Sequence, residues 1–542
     1  MRARALLPAL LCALVLALPP SAAAAERPAP PNDPYYGEQW ALRSEAANGI
    51  DLLETWRFGQ GSGVVVAVLD TGITTHPEFD GRVLPGYDFI SNAARAGDGD
   101  GRDPDPSDPG DWVSAADISA QTYGSTCTET SDSSWHGTHV AGTVLAAANN
   151  GVGVAGIAPL AQLLPVRVIG HCGGSVTDLI DAMRWAGGLS APGVPENLTP
   201  ATVINISLVV ERSCSAAMQA AVDELSARGV VIVTAVGNEA LEANRFAPAN
   251  CFGTLTVGAT TLSGDRASYS NYGSAVDLSA PGGAATRSGS ILSTYNEGRT
   301  APAGSVYGTA SGTSMAAPHA SGILAAVLAA EPDLPRSDLF TLLFANLAPF
   351  PVGSTCAQTP GLCGDGIING ARLYAAFAAR TAPLVTQSAP TELAIGASAP
   401  VSATVDGSAA ALTLTTPTVC SYSGGSVTAI ASGSCVLQST RPGSATVQPV
   451  NLRITIVVPG NTPTLSLTLP QRLKVGRRVD PVMTTTSDAA PTLTSRTPRI
   501  CKVGASGRVR AIAAGTCKLR IEVVATATYA ARKLTISVRA SR

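Results

Sequence analysis

Short apolar runs alternate with helical stretches over residues 61–380. The helical stretches are at 139–148 and 215–228, and the apolar runs are at 63–70, 163–170, 201–208, 229–238 and 253–260. Each run is continuously apolar, as in strands that are buried on both faces of a parallel sheet. The pattern therefore predicts an α/β domain in which helices cover both faces of a doubly wound, mainly parallel sheet.

The helical pattern stops after about Pro383, and Ser, Thr, Val, Gly and Pro dominate the rest of the chain. Two similar segments, 416–437 and 497–519, follow one another at a spacing of about 81 residues. This repeat predicts two small all-β sandwich modules, over 383–460 and 461–542, each pinned by one disulfide. Neither module contains a recognisable catalytic motif, so we expect binding or stabilising roles of them.

The first 25 residues have the pattern of a secretory signal peptide. Arg2 and Arg4 precede an apolar run at 5–18, and small residues lead to a cleavage point after Ala25. The run is too short for a stable membrane anchor and no later segment qualifies, so we expect no membrane span. The sequence predicts a secreted, extracellular protein whose first folded domain occupies 26–382.

Charge is spread unevenly over the chain. The formal net charge is −3, whereas residues 461–542 contain 15 Lys/Arg against 3 Asp/Glu. Such a basic region could bind polyanions or a membrane surface. Its charges fall at roughly alternate positions along predicted strands, which favours a solvated sheet face. We expect a monomer without a nucleic-acid partner.

Ten cysteines remain after the signal peptide, and an even number in an exported chain predicts disulfides. Three pairs are close enough in sequence to be expected directly: Cys356–Cys363, Cys420–Cys435 and Cys501–Cys517. A metal site built from cysteine is disfavoured, because the chain has no C-x-x-C motif and no Cys/His cluster.

Three residues could form a nucleophilic site. Asp70 ends the first apolar run, and His136 lies at the entrance of a predicted helix. Ser314 would lie at the N-terminus of another helix, where free N–H groups and the positive end of the dipole favour a developing oxyanion. Separately, Asp70 could be a turn residue and His136 a structural histidine. Together they supply a nucleophile, its base and the carboxylate that orients the base.

The order Asp…His…Ser differs from that of α/β-hydrolases and of chymotrypsin-type enzymes. The motifs "VVAVLDTGI" (65–73), "HGTHVAGT" (136–143) and "GTSMAAPH" (312–319) resemble those of the subtilisin-like serine proteases, or subtilases, and the resemblance covers about 33–380. It implies that Asp70 orients, His136 is the base and Ser314 is the nucleophile of a serine endopeptidase with an acyl-enzyme intermediate. His139 and His319 would then be structural.

A fourth motif, "TAVGNEA" (234–240), resembles the segment in which subtilases place an oxyanion donor. The resemblance implies that the Asn238 side chain is one donor and the Ser314 backbone N–H the other. The alternative is a catalytically silent binding or adhesion protein on a protease-like fold. The complete triad and Asn238 argue against that alternative.

The helix that follows Ser314 is apolar from 316 to 330 and is predicted to be buried. Pro318 is expected within about its first turn, where a missing N–H costs least.

In this family, protein or peptide substrates pair with two backbone edges, and pockets set the side-chain preference. The resemblance implies that these edges and the primary pocket contain Gly173, Gly174, Ser175, Ser207, Leu208, Val209, Ala235 and Gly237. One position departs from the family pattern, because Val209 stands where the family has glycine. We expect this side chain to crowd the primary pocket and to disfavour large aromatic residues.

The loop "AANNGVGVAG" (147–156) resembles the calcium loop of subtilases. The resemblance implies structural calcium with ligands from Glu78, Ala148, Asn150, Val152 and Val154. A second calcium site or a solvated acidic loop is possible at 97–112, which contains Asp98, Asp100, Asp103, Asp105, Asp108 and Asp111. No organic cofactor is expected. The resemblance also implies the disulfides Cys127–Cys172 and Cys214–Cys251.

Overall fold

The structure is a computed structural model that describes residues 27–44, 48–125, 127–284, 286 and 288–541. The predicted signal peptide at 1–25 lies outside the described residues. The chain divides into two compact units. The first runs to Arg380 and includes Gly443–Thr446, and the second contains Thr381–Pro442 and Val447–Arg542. The predicted boundaries at 382 and 460 stay predictions.

The first unit is built around a seven-stranded sheet in which every neighbouring pair of strands is parallel. The strands of this unit are β1 (Val65–Asp70), β2 (Tyr87–Asp88), β3 (Gln162–Arg167), β4 (Val203–Ile206), β5 (Val210–Glu211), β6 (Val231–Ala235), β7 (Phe246–Ala247), β8 (Leu255–Thr260), β9 (Leu278–Pro281), β10 (Ile291–Asn296) and β11 (Ser305–Ala310). The strand order in the sheet is β2-β3-β1-β4-β6-β8-β9. The five predicted runs supply β1, β3, β4, β6 and β8, which confirms the predicted sheet.

Helices lie on both faces of this sheet. The helices of the first unit are α1 (Leu52–Thr55), α2 (Ala93–Ala96), α3 (Ala115–Ala120), α4 (His136–Leu145), α5 (Val176–Ala186), α6 (Ala216–Ala227), α7 (Thr313–Ala330), α8 (Arg336–Ala345), α9 (Thr355–Gln358) and α10 (Gly370–Ala378). Among them, α4 and α7 pack on one face and α5 and α6 on the other. The first predicted helix, at 139–148, is displaced: α4 begins at His136 itself and ends at Leu145. Short 3₁₀ helices occur at Tyr36–Glu38, Trp40–Leu42, Pro77–Phe79 and Ala243–Arg245.

Successive residues of each central strand enter two different cores. Val66 and Val68 of β1 pack with α4 and α7, whereas Ala67 and Leu69 pack with α5 and α6. Both sets are at most 3% exposed. Burial on both faces explains why these strands are continuously apolar rather than alternating.

Helix α7 passes through the larger core, and every residue from Thr313 to Leu328 is buried. It is the one described helix long and apolar enough to cross a membrane, but 89% of that window is buried inside the fold. Pro318 lies beyond the first turn, contrary to the prediction, and leaves the carbonyl of Ser314 without its N–H partner four residues on. The hydroxyl of Ser207 donates to that carbonyl instead, at 2.8 Å.

The second unit contains only strands among its described residues. Its strands are β12 (Val385–Ser388), β13 (Ser398–Pro400), β14 (Ser402–Val405), β15 (Ser408–Ala409), β16 (Thr413–Leu414), β17 (Cys420–Ser423), β18 (Ser426–Ala429), β19 (Gly433–Arg441), β20 (Val450–Val458), β21 (Leu465–Thr468), β22 (Arg472–Lys474), β23 (Arg478–Val479), β24 (Val482–Thr485), β25 (Thr492–Ser495), β26 (Cys501–Val503), β27 (Val509–Ala511), β28 (Gly515–Val523) and β29 (Arg532–Ser541). They form small sheets around two separate apolar clusters, one around Cys420 and Cys435 and the other around Cys501 and Cys517. These sheets are consistent with two β modules.

The structure forms five disulfides. They join the same residues as the pairs expected from the sequence and the resemblance: Cys127–Cys172, Cys214–Cys251, Cys356–Cys363, Cys420–Cys435 and Cys501–Cys517. Three belong to the first unit, and each β cluster of the second unit contains one.

We predict that Gly322→Ala destabilises the first unit, although alanine is the better helix former. A Cβ on Gly322 of α7 would lie 2.6 Å from Cβ of Ile157, a branch point that cannot move away easily. Overpacking of this kind costs about 1–3 kcal/mol. Calorimetric melting in a Ser314→Ala background should show a lower Tm. Gly37→Ala is the control because a Cβ there meets no atom within 4 Å, and equal Tm values for the two variants would contradict the prediction.

Candidate active site

Asp70 is placed by the sheet at the carboxyl end of β1, between β3 and β4. Its side chain is fully buried. Oδ1 accepts hydrogen bonds from the Thr71 backbone N–H at 2.8 Å and from Nδ1 of His136 at 2.7 Å. Oδ2 is buried without a partner among the described residues. A buried carboxylate with few donors favours a proton or positive charge on its neighbour.

His136 is the first residue of α4, and 26% of its side chain is exposed. The bond from Nδ1 to Asp70 fixes the ring and leaves Nε2 as the free nitrogen. Burial alone would lower the pKa of His136, but the charge of Asp70 and its hydrogen bond raise it above the usual value of 6.5. Asp111 and Asp108 add to this increase of the His136 pKa.

Ser314 is the second residue of α7, and 8% of it is exposed. Its hydroxyl donates to the carbonyl of Ser207 at 2.9 Å, and none of its hydrogen bonds to described residues reaches His136. Its backbone N–H lies in the first turn of α7, where the helix itself provides no acceptor.

Asn238 follows β6 and faces the N-terminus of α7. Its Oδ1 accepts hydrogen bonds from the Thr313 backbone N–H at 2.9 Å and from the Thr313 hydroxyl at 3.1 Å. These two donors identify which end of the amide is oxygen. The Nδ2 amino group is therefore the end that can donate to an incoming oxygen atom.

The other histidines near the site have internal partners. His139 contacts the carbonyl of Ile291 at 3.0 Å, and His319 contacts that of Met315 at 2.7 Å. Burial lowers the pKa of each to about 4. Both are therefore neutral packing residues in the structure.

The first expected substrate edge, at residues 207–209, contacts Ser314. Leu208 and Val209 are partly exposed and follow Ser207, whose carbonyl holds the Ser314 hydroxyl. Val209 Cγ2 would lie 2.9 Å from a Cβ added to Gly237, so the two residues are direct neighbours, and Ala235 is buried in β6.

The second expected edge is next to α5. Gly173 pairs with Gly170, and Gly174 follows it. The Ser175 hydroxyl accepts from the Asp178 N–H at 3.0 Å and thus caps α5. The Ser175 hydroxyl therefore has a helix-capping role in the structure.

Four of the five residues implied as calcium ligands, Glu78, Asn150, Val152 and Val154, are linked by hydrogen bonds. Glu78 is fully buried and accepts from the Tyr307 hydroxyl at 2.8 Å, from Nδ2 of Asn150 at 3.1 Å and from the Val154 N–H at 3.3 Å. The Asn150 Oδ1 accepts from the Val152 N–H at 2.8 Å.

A second buried carboxylate, Asp33, lies beside this loop. It is 4% exposed and accepts from the N–H groups of Asn149 and Asn150. The negative charge of Asp33, after burial, contributes to raising the pKa of Glu78. None of the ion pairs between described residues includes Asp33 or Glu78.

The acidic loop does not gather its six carboxylates. Asp98 and Asp103 join Asp88 within 4.8 Å of one another, and the exposed Asp100 lies beside Asp103. Asp105 is exposed. Arg167 already pairs with Asp88 and with Asp98, the latter at 2.6 Å. The Arg167 guanidinium thus supplies the positive charge that a metal ion would supply there. The Asp88–Asp98–Asp103 cluster therefore does not fit calcium. Asp108 and Asp111 lie beside the catalytic candidates instead.

Several residues that hold the site were not singled out from the sequence. Thr313 orients Asn238, and Asn205 and Ser321 form a buried chain of hydrogen bonds to the Ser207 hydroxyl. Asn205 and Ser321 are polar residues within largely apolar segments, and Thr313 lies in the motif next to Ser314. Thr313 and Ser321 have partners 75 and 116 residues away, so spacing could not identify them, whereas Asn205 bonds to Ser207 two residues on.

These residues provide the chemical groups that acyl transfer requires. A hydroxyl lies at a helix N-terminus, and an imidazole is fixed by a buried carboxylate. The Asn238 amide is held by its oxygen at the same helix N-terminus, which leaves its N–H₂ group to donate. This combination provides a nucleophile, a base and donors for an oxyanion.

The chain resembles known proteases over its first unit. Residues 61–364 match the profile of the subtilase family. An extracellular protease of Xanthomonas campestris is 45% identical over 339 residues, which are 62% of this chain and 56% of the relative. An extracellular basic protease of Dichelobacter nodosus is 48% identical over 303 residues, which are 56% of this chain and 49% of the relative. The chain thus spans about half the length of these two relatives.

Two further comparisons cover nearly all of the other protein. Subtilisin Savinase of Lederbergia lenta is 36% identical over 310 residues, 57% of this chain and 90% of that protein. A solved protease structure from Pseudoalteromonas arctica has 45% identity and a TM-score of 0.60, and the match covers 64% of this chain and 99% of that one. The chain therefore belongs to the subtilase family of serine proteases.

Proposed function

We propose that the protein is a serine endopeptidase that uses Asp70, His136 and Ser314 and forms an acyl-enzyme. The observation that carries the proposal is the 2.7 Å bond between buried Asp70 and His136 beside the N-terminal turn that bears Ser314. Secretion is part of the proposal, because the two relatives named extracellular proteases support it. We propose protein or peptide substrates and a monomeric enzyme.

The reaction begins when the Ser314 hydroxyl leaves the Ser207 carbonyl and turns toward Nε2 of His136. Oγ attacks the carbonyl carbon of the scissile peptide bond while Nε2 takes the hydroxyl proton. Asp70 stays ionised and stabilises the imidazolium through Nδ1–H. The imidazolium then gives the proton to the leaving amine as the C–N bond breaks, which leaves an ester on Ser314. Water, deprotonated by His136, hydrolyses that ester.

Asn238 and Ser314 supply the oxyanion donors in this proposal. The tetrahedral intermediate carries its negative charge on the former carbonyl oxygen, which the Asn238 amino group and the Ser314 N–H can both reach at the mouth of α7. Because Thr313 fixes the amide before substrate arrives, little reorganisation accompanies the chemical step.

A serine-directed fluorophosphonate should label the wild-type protein, and peptide mass analysis should place the adduct on Ser314. Ser314→Ala should lose labelling and peptide hydrolysis together. Ser311→Ala is the matched control, because Ser311 lies in the same loop but its hydroxyl donates to the Ala284 carbonyl. Absence of labelling in a folded wild-type protein would favour the silent binding alternative.

Substrate selectivity at the primary pocket tests the role of Val209, which contacts Gly237. We expect Val209→Gly to raise the ratio of kcat/KM for Phe over Ala before the scissile bond by about tenfold or more, since one or two methyl groups in a pocket carry that much discrimination. Val210→Ala, at the next residue, should leave the ratio unchanged. An unchanged ratio in Val209→Gly would show that this side chain does not shape the pocket.

We propose structural calcium at the loop of Glu78 and Asn150. Two buried carboxylates, Glu78 and Asp33, lie at this loop, and neither is in an ion pair between described residues. The nearest basic side chain, Arg82, donates to the backbone carbonyl of Glu78 and not to its carboxylate, so a divalent cation would balance the two charges. The carbonyls of Ala148, Val152 and Val154 are the further oxygen ligands. The ion would fix the loop and has no part in the reaction.

Removal of calcium by EGTA should lower the Tm of the Ser314→Ala protein. A ligand present at 100 times its Kd stabilises the folded state by about 2.7 kcal/mol. Glu78→Gln should abolish the response to EGTA, whereas Asp103→Asn should retain it because Arg167 neutralises that cluster. Equal Tm values with and without EGTA would contradict the proposed calcium site.

A further inference from the structure

Two carboxylates of the acidic loop, residues 97–112, lie beside the Asp70–His136 pair instead of facing solvent. Asp108 is 2% exposed, and Asp111 is half-buried. Neither belongs to the Asp88–Asp98–Asp103 cluster. The mechanism described above leaves both without a role.

Asp108 is connected to both members of the pair through Thr71. The Thr71 hydroxyl donates to Oδ2 of Asp108 at 2.6 Å and accepts from the Gly137 N–H at 3.0 Å. Because Asp108 takes the hydroxyl proton, the oxygen lone pairs face Gly137. Thr71 follows Asp70 and Gly137 follows His136, so one hydroxyl joins the two backbone segments that carry the pair.

Asp111 holds the segment just before His136. Its two carboxylate oxygens accept from the backbone N–H of Ser134 at 2.6 Å and from the Ser134 hydroxyl at 2.7 Å. The loop is itself fixed between these points, since the Gly110 N–H donates to Oδ1 of Asp108 at 2.9 Å. The segment 108–111 thus holds the entrance of α4 on both sides of His136.

The charges around His136 act in one direction. Asp70, Asp111 and Asp108 each raise its pKa, while the nearby His139 is neutral. Asp108 in turn faces Asp111 and Arg167, and burial raises the Asp108 pKa to about 7. The Asp108 charge is therefore present above about neutral pH, where a serine nucleophile needs its base.

We propose that Asp108 and Asp111 are positioning residues for the Asp70–His136 pair, which they hold through Thr71 and Ser134. They contact neither substrate nor the reacting atoms. The inference rests on the proposed peptidase function, so its test includes a measurement that does not need activity.

The variant Asp111→Asn keeps an oxygen acceptor for Ser134 but removes the charge. Its histidine 1H–13C spectra should show that the His136 pKa falls by about half a unit, the size expected for one partly solvated charge. With a peptide substrate, the acid limb of kcat/KM should move to lower pH by the same amount. Asp111→Ala removes the acceptor too, and its kcat should fall about 10-fold to 100-fold with little change in KM.

Asp105→Asn is the matched control, because Asp105 lies in the same loop, is exposed and accepts only from the Ser107 N–H among described residues. It should move neither the His136 titration nor the rate. Equal His136 pKa values in Asp111→Asn, Asp105→Asn and the wild type would overturn the proposal. A second outcome separates the two proposals. If the His136 pKa shifts in Asp111→Asn but neither the wild type nor any variant hydrolyses peptides, the peptidase function is wrong and the positioning role stands.

Discussion

The hydrogen bond between buried Asp70 and His136 is the interaction on which the rest of the first unit depends. A carboxylate without solvent is costly unless donors or a positive charge compensate it. β1 carries Asp70 to the carboxyl edge of the sheet between two neighbouring strands, and α4 begins at the residue that pairs with it. The end of β1 and the start of α4 therefore have to lie within hydrogen-bond distance of each other, and this contact constrains how α4 packs on the sheet.

Packing and chemistry are joined most directly in α7. Its small, buried residues allow it to pass through the core, and Pro318 frees the Ser314 carbonyl for the Ser207 hydroxyl. Ser207 returns the contact, because its own carbonyl holds the Ser314 hydroxyl. This reciprocal pair fixes the nucleophile against the strand edge where substrate is expected to bind. Ser207, which holds the serine, thus also belongs to the expected substrate edge.

The sequence could predict what local pattern encodes. Continuous apolar runs predicted the parallel strands, and the motifs around Asp70, His136 and Ser314 predicted the family. It could not predict contacts made by long loops. For the acidic loop the sequence left two alternatives open, a second calcium site and a solvated loop. In the structure Arg167 pairs with Asp98, and Asp108 accepts from Thr71. Those partners are chosen by tertiary packing, which spacing along the chain does not encode.

The central claim is that buried Asp70 orients and charges His136 for proton transfer from Ser314. The most direct measurement is the pH dependence of kcat and KM in Asp70→Asn, an isosteric change that keeps the hydrogen-bond geometry but not the charge. The account predicts that kcat falls about 10⁴-fold with KM little changed, a magnitude known for such carboxylates in serine proteases, including a subtilisin. A folded Asp70→Asn protein with kcat within tenfold of wild type would contradict it.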